Sequence, residues 1–224
     1  MHQLYKYDIY IFDCDGVILD SNKLKILAMK DALESIENIK DGIDSSIEYF
    51  TNNFGLSRYH HVNEFSSKFL SYYGLSKIEL EKIILNNYAD FLDKHYVKSE
   101  VIAGFEQIAS TVNGLMYVAS GSEQNQLRRV LEKKNISICF KGIFGSPTKK
   151  YEIIRNVLDE VGENKKAVMI GDSIADLDAA KANHIDFIGI SDYSNTPDLL
   201  REKCTLYGYR VINNWHEIGT KVYG

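Results

Sequence analysis

The sequence predicts an α/β protein: a doubly wound parallel sheet with an all-helical segment inserted after its first strand. Three observations carry this. Short apolar runs alternate with helical patterns after Gly104, a lone apolar run stands near the start, and only helical periodicity lies between them.

The first run, Asp8-Ile-Tyr-Ile-Phe12, reads as a buried strand that stops at the acidic, glycine-containing Asp13-Cys-Asp-Gly16. From about Asn22 to Val97, apolar positions such as Leu24, Leu27, Leu33 and Ile36, then a stretch around Ile78 to Tyr96, predict about four helices. Phe54-Gly-Leu-Ser-Arg58 and Tyr73-Gly-Leu-Ser76 read as interhelical turns, each with a glycine for an open backbone and a serine to cap the next helix. Strands follow at Leu115 to Ala119, Gly142 to Phe144, Ala167 to Ile170, Phe187 to Ile190 and Tyr209 to Ile212. Helical segments between them imply parallel crossovers. The expected division is a core of residues 1–19 and 98–224 with a helical domain of residues 20–97.

The 224 residues, 45% apolar and 25% charged, suffice for a sizeable core. A net charge of −5 gives no basic field for a nucleic-acid backbone. No apolar run is long enough to span a membrane, and Met1 to Asp13 has no secretion-signal pattern. Cys14, Cys139 and Cys204 are odd in number and far apart, so neither a disulfide framework nor a zinc site is expected. The expectation is a cytoplasmic protein, monomer or homodimer, with no nucleic-acid or membrane partner.

Three apolar runs end in a polar residue beside a glycine or small residue: Phe12-Asp13, Ala119-Ser120-Gly121 and Ile170-Gly171-Asp172-Ser173. In an open parallel sheet ligands bind at the carboxyl ends of strands, so these ends are expected at one crevice. Their residue types suit phosphoryl transfer. Asp13, Asp15 and Asp172 offer oxygen ligands to a hard cation such as Mg²⁺, Asp13 can attack phosphorus, and Asp15 can move protons. Ser120 and the amides of Gly121 and Ser122 offer neutral donors to phosphate. Ser146-Pro-Thr-Lys-Lys150 reads as a capping serine, a proline at the first helical position, and two first-turn cations that oppose the helix dipole. Either Lys149 or Lys150 can meet the phosphate.

In order, these segments resemble the four motifs of the haloacid dehalogenase superfamily of phosphohydrolases. The insertion is similar to the helical cap of its subgroup with phosphoglycolate phosphatases and beta-phosphoglucomutases. The resemblance implies a Rossmann-like core, Asp13 as nucleophile and Asp15 as acid/base. It implies Mg²⁺ on Asp13, the Asp15 carbonyl and Asp172, with Asp176 in support. It favours Lys150 over Lys149, and it implies that Arg58 grips the far end of a small phosphorylated metabolite. Relatives often have glycine where this chain has His184, and Asn183 is expected to take over that helix-ending role.

Blander readings exist for each residue. Asp13 and Asp15 alone would be an Asx turn, Ser120-Gly121 a helix cap, and the lysine pair a solvated face. Asp178 is expected at the surface, Cys14 in packing, His60 and His61 at the surface, and Tyr72, Tyr73 and Tyr88 in cap core and rim. The expected function is a Mg²⁺-dependent phosphatase acting through an aspartyl phosphate. The alternatives are a phosphomutase of the same chemistry and a non-catalytic binding protein on the same fold.

Overall fold

The computed structural model describes residues 6–162 and 165–219. Strands β1 (Ile9–Phe12) and β2 (Leu19–Asp20) precede helix α1 (Asn22–Glu34), followed by β3 (Ile39–Asp41), α2 (Ile43–Asn52), α3 (Arg58–Glu64), β4 (Ser71–Tyr72) and α4 (Lys77–His95). Next come β5 (Glu100–Val101), α5 (Phe105–Thr111), β6 (Leu115–Glu123), α6 (Gln124–Lys133), β7 (Gly142–Ser146) and α7 (Lys150–Val161). The last described elements are β8 (Ala167–Gly171), α8 (Ile174–Ala182), β9 (Asp186–Ile190), α9 (Pro197–Tyr207), β10 (Arg210–Ile212) and α10 (His216–Gly219).

Six parallel strands form one sheet in the order β10-β9-β8-β1-β6-β7. The chain builds outward from β1 through β6 and β7, then crosses to β8 on the other side. That reversal makes the carboxyl end of β1 the switch point where an open parallel sheet leaves a crevice. Alternate residues of β1 face opposite ways. Tyr10 and Phe12 join Phe105, Val118, Ile170 and Trp215 in one core, and Ile9 and Ile11 join Tyr117, Ile154, Met169 and Leu177 in the other.

The segment between β1 and β6 holds α1 to α4, with α1 packed on α2 and α4, and α3 on α4. The chain leaves and returns through an antiparallel pair, β2 with β5. Both expected turns form: Gly55 and Gly74 take positive φ, Ser57 caps α3 through the His60 amide, and Ser76 makes a capping box with Glu79.

Three local expectations are corrected. The insertion is not purely helical, because the links Ile39–Asp41 and Ser71–Tyr72 pair as a short ribbon that satisfies their backbone groups. Ser146 does not cap a helix with Pro147 at its first position: β7 runs through Ser146, Lys149 is the N-cap, and Lys150 is the first residue of α7. His184 itself takes the left-handed conformation after α8, with φ of 55°, while Asn183 stays at −103°. No helix among the described residues is long and apolar enough to cross a membrane.

Candidate active site

Register brings the catalytic candidates together. Phe12 pairs with Val118 on one side and Ile170 on the other, and the Asp13 amide donates to the Ile170 carbonyl at 2.9 Å. Asp13 therefore stands at the sheet edge between Ser120 and Asp172. Asp176 lies on the first turn of α8, where the Ser173 hydroxyl and amide donate to its carboxylate at 2.6 and 3.1 Å. Asp13, Asp172 and Asp176 are all buried, and one oxygen of each lies within 4.8 Å of the others. Lys150 reaches across from α7, ion-paired with Asp176 and 3.2 Å from Asp13 Oδ1.

Three buried carboxylates facing one ammonium leave negative charge unmatched. Asp13 Oδ1 and Asp172 Oδ1 accept no hydrogen bond. Burial, reinforced by neighbouring carboxylates against the pull of Lys150, pushes Asp13 up to about 7. Burial together with Asp13 and Asp176 holds Asp172 well above the usual carboxylate range. For Lys150, burial opposes the charge, but Asp13 and Asp176 outweigh it and raise its pKa. Hard oxygen donors, an unmet negative balance and orphaned oxygens are what a divalent cation such as Mg²⁺ would satisfy, so the residues present fit that ion.

The second carboxylate of the strand end has a different environment. Asp15 accepts from Ser21 at 2.5 Å, Tyr96 at 2.7 Å and Ser122 at 2.8 Å, and is ion-paired with Lys25. Burial pushes Asp15 up, but Lys25 and the hydroxyl donors outweigh it and hold the carboxyl below its ordinary value. The Lys25 ammonium also meets the Ser122 hydroxyl and sits 4.7 Å from the centre of the Tyr96 ring. Asn22, one helical turn before Lys25, donates to Asp172 Oδ2 at 2.7 Å and to the Tyr193 carbonyl at 2.8 Å. Helix α1 thus braces both acidic groups.

The insertion closes the crevice. A Cβ at Gly121 would lie 2.6 Å from the Gly55 carbonyl oxygen and 2.7 Å from that of Leu56, so only glycine lets this loop settle on the end of β6. The pocket between them is lined by Asp13, Asp15, Lys25 and Ser120 below and by Phe50, Phe54, Arg58, His61 and Tyr88 above. Arg58 is buried, its guanidinium 4.8 Å from the centre of the Tyr88 ring, and its Nη2 donates to Gln126 Oε1 at 2.7 Å. Gln126 in turn donates to Asp93 at 2.6 Å, joining α6 of the sheet region to α4 of the insertion.

The structure thus gathers Asp13, Asp15, Ser120, Gly121, Lys150, Asp172 and Asp176, with Arg58 on the opposite wall. It does not bring in Lys149, which is exposed outside the cluster, and the Asp15 side chain points to Lys25 rather than to the acidic trio. Asp178 is exposed and Cys14 is packed near Tyr96, as the sequence suggests. The surface expectation is right for His60 and wrong for His61: three residues after Arg58, His61 shares its inward face of α3 and is 1% exposed. Sequence reasoning also misses Ser21, Asn22, Lys25, Tyr96 and Gln126. Lys25 had a signal, since it lies on the buried stripe of α1 with Ala28, Met29, Ala32 and Leu33.

Comparisons agree with this geometry. Residues 7–184 match the family model of haloacid dehalogenase-like hydrolases. A phosphoglycolate phosphatase from Aquifex aeolicus (strain VF5) is 26% identical over 191 residues, covering 77% of this chain and 79% of that protein. Among solved structures, a predicted phosphatase from Clostridium acetobutylicum is 21% identical, covers 96% of this chain and 98% of its own, and superposes with a TM-score of 0.72. CbbY from Rhodobacter sphaeroides, in complex with phosphate, is 15% identical over 95% of this chain and 96% of its own, with a TM-score of 0.71. With the motif order, the switch-point site and a family match over most of its length, the chain belongs to the haloacid dehalogenase-like hydrolases.

Proposed function

We propose that this hydrolase is a Mg²⁺-dependent phosphatase that removes the phosphoryl group of a small phosphorylated metabolite, a sugar phosphate or a phosphorylated small acid, through an aspartyl phosphate on Asp13. The observation that supports this most is the buried trio Asp13, Asp172 and Asp176 beside Lys150, at the switch point of the sheet. Asp13, Asp172 and Asp176 would hold the metal, which when bound supplies positive charge to the phosphoryl oxygens and keeps Asp13 ionised.

Asp13 attacks phosphorus in line with the ester oxygen. Lys150 and the Ser120 hydroxyl steady the equatorial oxygens. Asp15 gives a proton to the leaving alkoxide, then takes one from the water that cleaves the aspartyl phosphate. The Lys25, Ser21, Tyr96 and Ser122 donors around Asp15 favour its ionised form, which is the form needed in that second step. The loop at Gly55 and Leu56, seated on Gly121 at the end of β6, would limit the access of bulk water to the crevice.

The pocket supports a small substrate, since Phe50, Phe54, Arg58, His61 and Tyr88 of the insertion face Asp13, Asp15 and Ser120 across it. The name of the Aquifex relative supports starting with a phosphorylated small acid. A cytoplasmic setting is part of this reading, supported by three cysteines without disulfides. Arg58, buried on the far wall, keeps a phosphomutase as the second reading, because a mutase must grip a second phosphate.

Steady-state release of inorganic phosphate from a panel of phosphorylated metabolites, in Mg²⁺ and then in chelator, tests the proposal. Chelator-sensitive release is expected. Isomerised sugar phosphates without release would favour the mutase, and neither activity would favour a binding protein.

A further inference from the structure

His61 is 1% exposed, and neither of its ring nitrogens has a hydrogen-bond partner. Its surroundings are aromatic, with ring centres of Phe50 at 4.7 Å, Tyr49 at 5.9 Å and Phe65 at 6.1 Å. An unmatched polar group in such a shell is destabilising, and phenylalanine would fill the space without it. Burial pushes the imidazole down to about 3, so at neutral pH it is uncharged, with one nitrogen donating and the other accepting.

The residue lines the same pocket as Asp13 and Ser120 and shares the inner face of α3 with Arg58. Arg58 is likewise incompletely satisfied: its Nε has no partner, and among the described residues it forms no ion pair. A buried guanidinium without an acid is unfavourable until an anion arrives. Two unmet donors on one helix face, one cationic and one neutral, between flat aromatic walls match the two oxygens of a planar carboxylate. A second phosphate, with three oxygens and higher charge, presents more acceptors than these two donors meet.

We infer that His61 is a specificity-determining residue that, with Arg58, binds a carboxylate on the carbon skeleton of the substrate. The substrate class is therefore phosphorylated small acids rather than neutral sugar phosphates. This rests on the phosphatase reading above.

The test compares 2-phosphoglycolate with ethyl phosphate, which has a methyl where the first has a carboxylate. The readout is the ratio of their kcat/KM values in Mg²⁺, for wild type, His61→Phe and His61→Gln, with Tm recorded for each. The expected results are a wild-type preference of at least about a hundredfold for the acid, a fall of at least about tenfold in that ratio for His61→Phe, and a smaller fall for His61→Gln. Tm of His61→Phe is expected to match or exceed wild type, separating recognition from folding. Turnover of both esters without preference would overturn the carboxylate assignment while leaving the phosphatase intact. An unchanged ratio in His61→Phe would overturn the role of His61, and no turnover of either ester by the wild type would overturn the phosphatase reading itself.

Discussion

Around the strand ends, four buried carboxylates and two lysines are set against one another: Lys150 on Asp13 and Asp176, and Lys25 on Asp15. On the wall made by α3 and its neighbours, one arginine and one histidine stand among Phe50, Phe54 and Tyr88, with no ion pair among the described residues. The first wall has an excess of negative charge and suits a metal ion and a phosphoryl group. The second has unmet donors and suits the rest of the substrate. On the proposed function, chemistry belongs to the strand ends and recognition to the inner face of α3.

Substitutions should separate the two walls. The largest effect is expected for Asp13→Asn, a loss on the order of 10⁴-fold in kcat, against a change within about twofold for the exposed Asp178→Asn, both read from phosphate release. If Asp178 mattered as much as Asp13, the assignment of the strand-end wall would fall. Lys25→Met removes the cation holding Asp15 and is expected to lower kcat by about 10²-fold with KM changed far less. A rise in KM alone would instead move Lys25 to the recognition wall.

Smaller effects sharpen the second wall. Gln126→Leu deletes the acceptor that orients the Arg58 guanidinium and is expected to raise KM about tenfold while kcat stays within about threefold. Equal losses in both would assign Gln126 to the catalytic step. The smallest expected change is in stability. His61 has a depressed pKa in the fold, about 3 against about 6.5 in the unfolded chain, so its contribution is fully present above pH 6.5 and is lost as pH falls toward 3. Between pH 7.5 and pH 5 the wild type should lose about 2 kcal/mol relative to His61→Phe, as read from denaturant unfolding. A constant difference across that range would mean that His61 is not held neutral.

The same division governs what the sequence reveals. Asp13, Ser120 and Asp172 are legible because an apolar run that stops at a polar residue marks a strand end, and parallel topology brings strand ends to one edge. The residue pattern leaves Lys149 and Lys150 open and the family resemblance favours Lys150; the start of α7 at Lys150 turns that lysine inward and leaves its neighbour outside. The far wall is less legible, because His61 and Gln126 acquire their neighbours only when α3 packs above β6 and α6 meets α4. The three-residue spacing of Arg58 and His61 was present in the sequence, but nothing local told the inner face of so short a helix from the outer. Lys25 was within reach, as the one charged residue on the buried stripe of α1.

The central claim, that Asp13 carries the phosphoryl group between substrate and water, is tested most directly by acid-quenching the enzyme during turnover of an aryl phosphate in Mg²⁺ and mapping the phosphoryl adduct by mass spectrometry. The account predicts one phosphoryl group on the peptide containing Asp13. It predicts more of that adduct in Asp15→Asn, where the aryl group leaves unaided but water is no longer activated. Turnover with no adduct on the protein, or with the adduct on another residue, would contradict it.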